Sequence, residues 1–352
     1  MTQAISKITI KGYKSIRNLE DFELRNLNIL IGPNGSGKSN FLSFFELLKA
    51  TLSKDNEKEI TKFGTANHLF YMGSKITNTC EFEVHFTGGV TGFDQSINLT
   101  ANPEDGLIIL NPQRPGMFSG EVTGAQDDLR YLDDAQRNIQ KGIYHFHDTS
   151  TFAGVKKYCS IRDYEYLRMD ASNLAPFLWY LKKKHEKEYQ MIRDVVQLAA
   201  PFFDDFLLRE SIKNPDETLL EWRQKGSDYP FHPSQISDGT LRFICLATAL
   251  LQPNPPSTIL LDEPELGLHP YALTLLAGLI QKASKQTQVI VSTQSASLVD
   301  QFQPEDIAIV ERQNGESIFR RLNKDDLKVW LDDYSLGELR EMNMFGGRPS
   351  HE

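Results

Sequence analysis

Apolar residues recur along this chain with two periods, and the switches between them mark out the elements. Ile8–Ile10 reads as a first strand, and Leu27, Ile29, Leu30 and Ile31 as a buried one. Phe41, Leu42, Phe44, Phe45, Leu47 and Leu48 then follow the spacing of a helix packed on a sheet. Residues 51–65 are polar and charged, which predicts a helix end and a loop. From Cys80 to Phe86 the pattern alternates, with Phe82, Val84 and Phe86 on one face of a half-buried strand. Ser96–Leu99, Leu107–Leu110 and Ile143–Phe146 are expected to be further strands, and 111–128, with Pro112 and Pro115, a loop. Residues 173–200 are predicted helical, with Leu174, Phe177, Leu178 and Leu181 on one face. After Pro255 the pattern is strand (Thr258–Leu261), helix (Tyr271–Ala283), then strands (Gln288–Ser292, Ile307–Glu311), as in α/β proteins with a parallel sheet.

Composition narrows the class without choosing a function. The chain has 352 residues, 40% hydrophobic and 24% charged, which suits a soluble globular protein in the cytoplasm. No apolar run approaches the roughly 20 residues a membrane span needs, so no membrane partner is expected. Cys80, Cys159 and Cys245 lack metal-ligand spacing and read as small buried hydrophobes. A net charge of −9 argues against strong non-specific nucleic-acid binding, but a local basic patch could still meet DNA. The run Lys182–Glu188 is either a solvated helix face or a phosphate contact.

Residues 32–39, Gly-Pro-Asn-Gly-Ser-Gly-Lys-Ser, match G-x-x-x-x-G-K-[ST] and stand between a strand and a helix, the context that motif requires. In such a loop Asn34, Gly35, Ser36 and Gly37 turn backbone N–H groups toward phosphates, at the positive end of a helix that continues through Asn40. Lys38 would neutralise phosphate oxygens and the Ser39 hydroxyl would hold Mg²⁺, making ATP with Mg²⁺ the expected ligand. Downstream, Thr258–Glu263 is an apolar strand that ends in two carboxylates. Asp262 would serve the Mg²⁺ shell and Glu263 would orient the attacking water.

Beyond these two motifs the chain resembles a family. Asp262–Pro270 (Asp-Glu-Pro-Glu-Leu-Gly-Leu-His-Pro) looks like the Walker B and D-loop of ABC-type ATPases of the RecF, SMC and OLD group. Gln235–Arg242 looks like that group's signature, with Ser237 and Gly239 ahead of an apolar helix. Ile8–Ile16 is similar to the first strand and turn of RecF- and SMC-like heads, and His68–Lys75 to the segment after their first helix. Tyr144–Asp148 falls where a Q-loop lies but has no glutamine. It is either a structural loop or one that brings His147 or Asp148 toward the metal. Gln294 stands where the ABC pattern has its H-loop histidine. A glutamine can hydrogen-bond phosphate or water but cannot carry a proton, which implies slow hydrolysis.

The resemblance implies an α/β P-loop NTPase with a mixed β-sheet core and a helical lid. Residues 1–165 would form an N-terminal lobe, 166–232 the helical insert and 233–352 a C-terminal lobe. It implies ATP hydrolysis, and a homodimer or higher oligomer in which Ser237 and Gly239 sense ATP held by the other subunit. Lys38 and Ser237 are 199 positions apart, a span long for a transporter ATPase and too poor in heptads for an SMC arm. Only 58 residues follow Gln294, too few for the Toprim nuclease domain of OLD proteins. The expected relatives are stand-alone bacterial ATPases that control a separately encoded, nuclease-like effector in anti-phage defence. A RecF-like repair ATPase that binds DNA is the alternative. A transporter subunit is disfavoured by the missing Leu-Ser-Gly-Gly-Gln form and H-loop histidine.

Overall fold

A computed structural model describes residues 4–53, 55–87, 93–110, 142–323, 327, 330 and 333–342. The expected loop at 111–128 lies outside the described residues. The chain divides into two compact units, the first made of 1–140, 256–260 and 287–352, the second of 141–255 and 261–286. In chain order the first unit opens with β1 (Ala4–Tyr13), β2 (Ile16–Glu23), β3 (Leu27–Ile31), α1 (Lys38–Thr51), α2 (Asn56–Thr61) and α3 (Ala66–Leu69), followed by β4 (Thr79–Thr87), β5 (Phe93–Ala101) and β6 (Leu107–Leu110). The second holds β7 (Ile143–Tyr144), β8 (Cys159–Ser160), α4 (Leu174–Lys184), α5 (Glu186–Ala199), β9 (Phe203–Leu207), β10 (Glu217–Thr218), β11 (Glu221–Gln224) and α6 (Asp238–Leu251). β12 (Thr258–Asp262) starts in the first unit and ends in the second, which adds α7 (Pro270–Ala283). The first unit closes with β13 (Gln288–Thr293), α8 (Ala296–Val299), β14 (Ile307–Gln313), β15 (Glu316–Arg321) and α9 (Leu336–Glu341).

The first unit carries two sheets. One is antiparallel, in the order β2-β1-β4-β5-β6. In the other, β14 and β13 flank β3 in parallel and β15 adds an antiparallel edge, so the core is mixed, as expected. All five residues of β3 are buried, as a strand covered on both faces requires. α1 packs on the antiparallel sheet through its aromatic stripe: Phe44 meets Phe82 of β4 edge to face, with centroids 5.1 Å apart.

Three details go beyond the sequence pattern. β2 buries Ile16, Leu19 and Phe22, a spacing of three, because Ile8 and Ile10 of β1 face Phe22 and Leu19 across a bulge. The extra residue breaks the period-2 signal, so the strand could not be read in advance. The polar stretch after α1 contains α2, whose single buried residue, Ile60, gives no periodicity to detect. Residues 173–200 are helical, as expected, and divide into two helices, α4 and α5. The break is at His185 (φ −138°, ψ 55°), and Glu186 and Glu188 then supply acidic residues to the first turn of α5.

In the second unit α5 packs on α6 and on β9. β9 pairs with β11 around an aromatic cluster of Phe203, Phe206, Trp222 and Phe231. These strands, inside the stretch expected to be the helical lid, have only one or two apolar inward positions each and left no alternating signal.

Candidate nucleotide site

The glycine-rich turn lies between β3 and α1, as its motif requires. Gly35 (φ 77°) and Gly37 (φ 109°) hold left-handed backbone, which lets the turn close ahead of the helix. Neighbouring strands fix its shape. A Cβ on Gly32 would stand 2.0 Å from the Val310 carbonyl oxygen of β14, and one on Gly37 2.0 Å from Ser317 Oγ of β15. The Ser317 hydroxyl donates to the Ser36 carbonyl (2.6 Å) and shares a hydrogen bond with the Ser15 hydroxyl (2.7 Å), whose Oγ also accepts from Asn40 Nδ2 (2.7 Å). Two segments distant in sequence, the turn at Ser15 and strand β15 at Ser317, therefore brace the glycine-rich turn.

Lys38 is only 5% exposed, and its ammonium donates to the carbonyls of Gly32 (2.8 Å) and Pro33 (2.9 Å). Ser36 Oγ is buried without a hydrogen-bond partner, an orphan of the kind a ligand oxygen would satisfy. Asn34, Gly35 and Ser39 are exposed. Arg312 on β14 reaches the Gly35 carbonyl at 3.4 Å, a second cation beside the turn. A cradle of backbone N–H groups, a held ammonium, an orphan hydroxyl and the N-terminus of a fourteen-residue helix suit a polyphosphate. Gln294, in the same unit just after β13, is half-buried, and its backbone carbonyl accepts from the Arg340 guanidinium of α9.

The second unit gathers the remaining candidates. Ser237 is exposed and caps α6, its Oγ accepting from Thr240 N at 3.2 Å. Gly239 serves packing rather than open access. A Cβ there would lie 2.2 Å from the Gly267 carbonyl oxygen, so the signature turn and the loop after β12 meet backbone to backbone. Asp262 ends β12. Glu263 follows with φ 40°, a conformation sparsely populated by residues other than glycine and common at functional sites. Both carboxylate residues line a small cleft with Tyr144, Phe146, His147 and Arg242.

Arg242 organises that cleft. Its Nε donates to the Phe146 carbonyl (3.0 Å), its Nη2 to that of His147 (3.1 Å) and its Nη1 to that of Leu266. One guanidinium thus ties the 146–147 loop, the signature helix and the loop after the carboxylates together. Of the two residues offered for the Q-loop position, His147 lines the cleft. Asp148 instead accepts from Ser150 N at 2.9 Å, and its bonds to Ser150 hold its carboxyl below the usual range. Burial pushes the Tyr144 phenol well above its ordinary value, although Gln252 Nε2 donates to its oxygen at 2.9 Å. Lys156, 8% exposed, pairs with Asp238 at 3.2 Å beside Ser237. Sequence inspection missed the roles of Arg242, Lys156 and Arg312. Only Arg242 carried a signal, as the last residue of the signature run.

A sequence profile of the family described as "AAA domain, putative AbiEii toxin, Type IV TA system" matches residues 27–114 and 123–300. The chain belongs to this AAA_21 family. Structural maintenance of chromosomes protein 3 of Saccharomyces cerevisiae is 28% identical over 228 residues, 61% of the chain, but the match covers 15% of that protein's length. The fold is similar to that of an SMC head bound to the C-terminal winged-helix domain of ScpA (TM-score 0.63, 19% identity, 92% of this chain and 99% of that one). It is also similar to a Pyrococcus furiosus SMC head with an extended coiled coil, bound to the C-terminal domain of ScpA (TM-score 0.60, 17% identity, 94% and 99%). AAA_21 membership gives the chain an AAA domain, and these two structures show that its fold is that of an SMC head. Among the described residues no helix is long and apolar enough to cross a membrane.

Proposed function

We propose that the protein binds ATP with Mg²⁺, dimerises around it and hydrolyses it slowly, and that this cycle regulates a separately encoded effector in anti-phage defence. The observation that carries the ATP reading is the braced turn, with Lys38 held inside it and Ser36 Oγ orphaned beside it. In this reading Asn34, Gly35, Ser36, Gly37, Lys38 and Asn40 hold the phosphates, and Ser39 and Asp262 hold Mg²⁺. A bound ion would supply positive charge against the phosphates. Glu263 orients a water against the γ-phosphorus. The bond to the ADP oxygen breaks as the new P–O bond forms, and the water's protons pass to a phosphate oxygen and to solvent, leaving ADP and phosphate. Gln294 contributes a hydrogen bond but no proton acceptor, so turnover is slow. Residues 1–165 would be the N-terminal lobe, 166–232 an insert that serves as a lid, and 233–352 the C-terminal lobe.

The effector role draws on the family description, which names a putative toxin of a toxin–antitoxin system. That related SMC heads bind ScpA domains supports a protein partner. The assembly makes a strong prediction. Lys38→Ala lacks the buried phosphate cation and loses ATP binding, read by isothermal titration. Ser237→Arg puts bulk and charge at an exposed cap and blocks closure, at a folding cost of about 1 kcal/mol for the lost cap. Each variant alone is inactive, but a mixture regains one working site per mixed dimer. A mixture that co-assembles and stays inactive refutes the shared site, and unchanged ATP affinity of Lys38→Ala refutes the site itself.

A further inference from the structure

The second unit holds a cavity of about 320 Å³ that the ATPase reading does not use. It lies at the small end of the range for ligand sites, roughly 300–1,000 Å³. Arg162 and Tyr164 reach it from the loop after β8, Trp179, Tyr180, Lys183 and Lys184 from α4, and Glu210 from the segment after β9. The Tyr164 and Tyr180 rings stack, with centroids 5.1 Å apart and an interplanar angle of 11°. The Lys183 ammonium sits over the Trp179 ring, 4.3 Å from its centroid. Tyr180 is fixed further by the contact of its hydroxyl with His185 Nε2 at 3.3 Å.

The cavity is held open in advance. Asn173, fully buried at the start of α4, donates through Nδ2 to the Tyr166 (2.7 Å) and Asp163 (2.9 Å) carbonyls and accepts from Arg168 N (2.9 Å). Those bonds fix the loop of Arg162 and Tyr164 on the helix of Trp179 and Tyr180. Rings fixed in this way bind flat partners with little loss of conformational freedom.

Three aromatic rings with three cations and one carboxylate ask for a ligand that is both planar and anionic. Arg162 already pairs with Asp216 at 3.6 Å, so the charge open to a ligand comes from the exposed Lys183 and Lys184; an apolar ligand would not use it, and a bare anion would leave the rings unused. The cations stand out on a chain of net charge −9. Stacking platforms beside lysine and arginine are how unpaired bases and their phosphates are held. The Glu210 carboxylate can accept from a base amino group. Exposed rings continue outside the cavity at Tyr158 and Tyr166, and exposed charge at Lys187, so a longer chain has surface to follow. We infer that this cavity binds one unpaired nucleotide of a single-stranded nucleic acid. The inference is independent of the ATPase assignment and gives the Lys182–Glu188 run a phosphate contact, at Lys183 and Lys184, for the test to decide.

The test is fluorescence anisotropy of a short labelled single strand with the full chain, in EDTA and without ATP, with unlabelled duplex and AMP as competitors. The strand binds, the duplex competes poorly, and Lys38→Ala binds as wild type does. Trp179→Ala binds roughly 5- to 150-fold more weakly, the loss expected for one base–aromatic stack, whereas Trp179→Phe keeps most of the affinity. Lys183→Gln with Lys184→Gln, at exposed positions that do not threaten folding, lowers the slope of log affinity against log salt by about 1.4. Wild-type binding by the folded Trp179→Ala protein, or an unchanged salt slope in the lysine pair, overturns the inference. So does a duplex that competes equally, or a chain that takes AMP but no strand.

Discussion

Gly239→Ala tests whether the signature turn is built as described. The added methyl would stand 2.2 Å from the Gly267 carbonyl oxygen, where ordinary contact begins at 3.4 Å, so one of two backbones must retreat by more than 1 Å. Neither can move cheaply. Gly239 lies in the first turn of α6, and the Leu266 carbonyl one residue before Gly267 is bonded to Arg242. Overpacking of this kind costs about 1–3 kcal/mol, which lowers the melting temperature by roughly 2–12 °C for a unit of this size. Gly278→Ala is the matched control. Gly278 is exposed within α7, and a Cβ there meets nothing within 4 Å. The same methyl should therefore stabilise, by about 0.5–1 kcal/mol, because alanine loses less backbone freedom in a helix. Thermal melts by circular dichroism, with urea titrations on both variants, read the two signs. A Gly239→Ala protein as stable as wild type, or a destabilised Gly278→Ala, would refute the packing argument.

Two further predictions concern chemistry. Glu263→Gln keeps shape but not the carboxylate, so ATP turnover should fall roughly 100-fold or more while ATP holds the dimer, seen by light scattering. A monomer with and without ATP, or wild-type turnover, counts against the role. Burial pushes the Cys159 thiol up to about 11 and Cys245 up to about 12, and raises Cys80 further. A thiol-exchange reagent at pH 8 should thus react on the order of 100-fold more slowly with the folded protein than with unfolded chain, whose thiols titrate near 8.5. Above that pH the unfolded state binds fewer protons than the folded one, so stability falls as pH rises. Prompt labelling of the native protein, or stability that rises from pH 8.5 to 9.5, would contradict the burial.

The sequence by itself determined the parts whose chemistry is local. Gly32–Ser39 needs only a strand before it and a helix after it, and both follow from adjacent apolar residues. Asp262 and Glu263 end a strand that four buried residues specify. The parallel strands β3, β13 and β14 were legible because burial on both faces gives each an unbroken apolar run, Ile29–Ile31, Val289–Val291 and Ile307–Val310. What only the tertiary structure decided depends on partners far apart in the chain. Gly32 and Gly37 must be glycine because β14 and β15, some 280 residues away, press on them. Gly239 answers to Gly267 in the same way, and Arg242 takes its meaning from three carbonyls on two other loops. The bulged β2 and the cavity on α4 were hidden for a related reason. A bulge shifts the period that sequence inspection counts, and a cavity gathers side chains from segments that no single period connects.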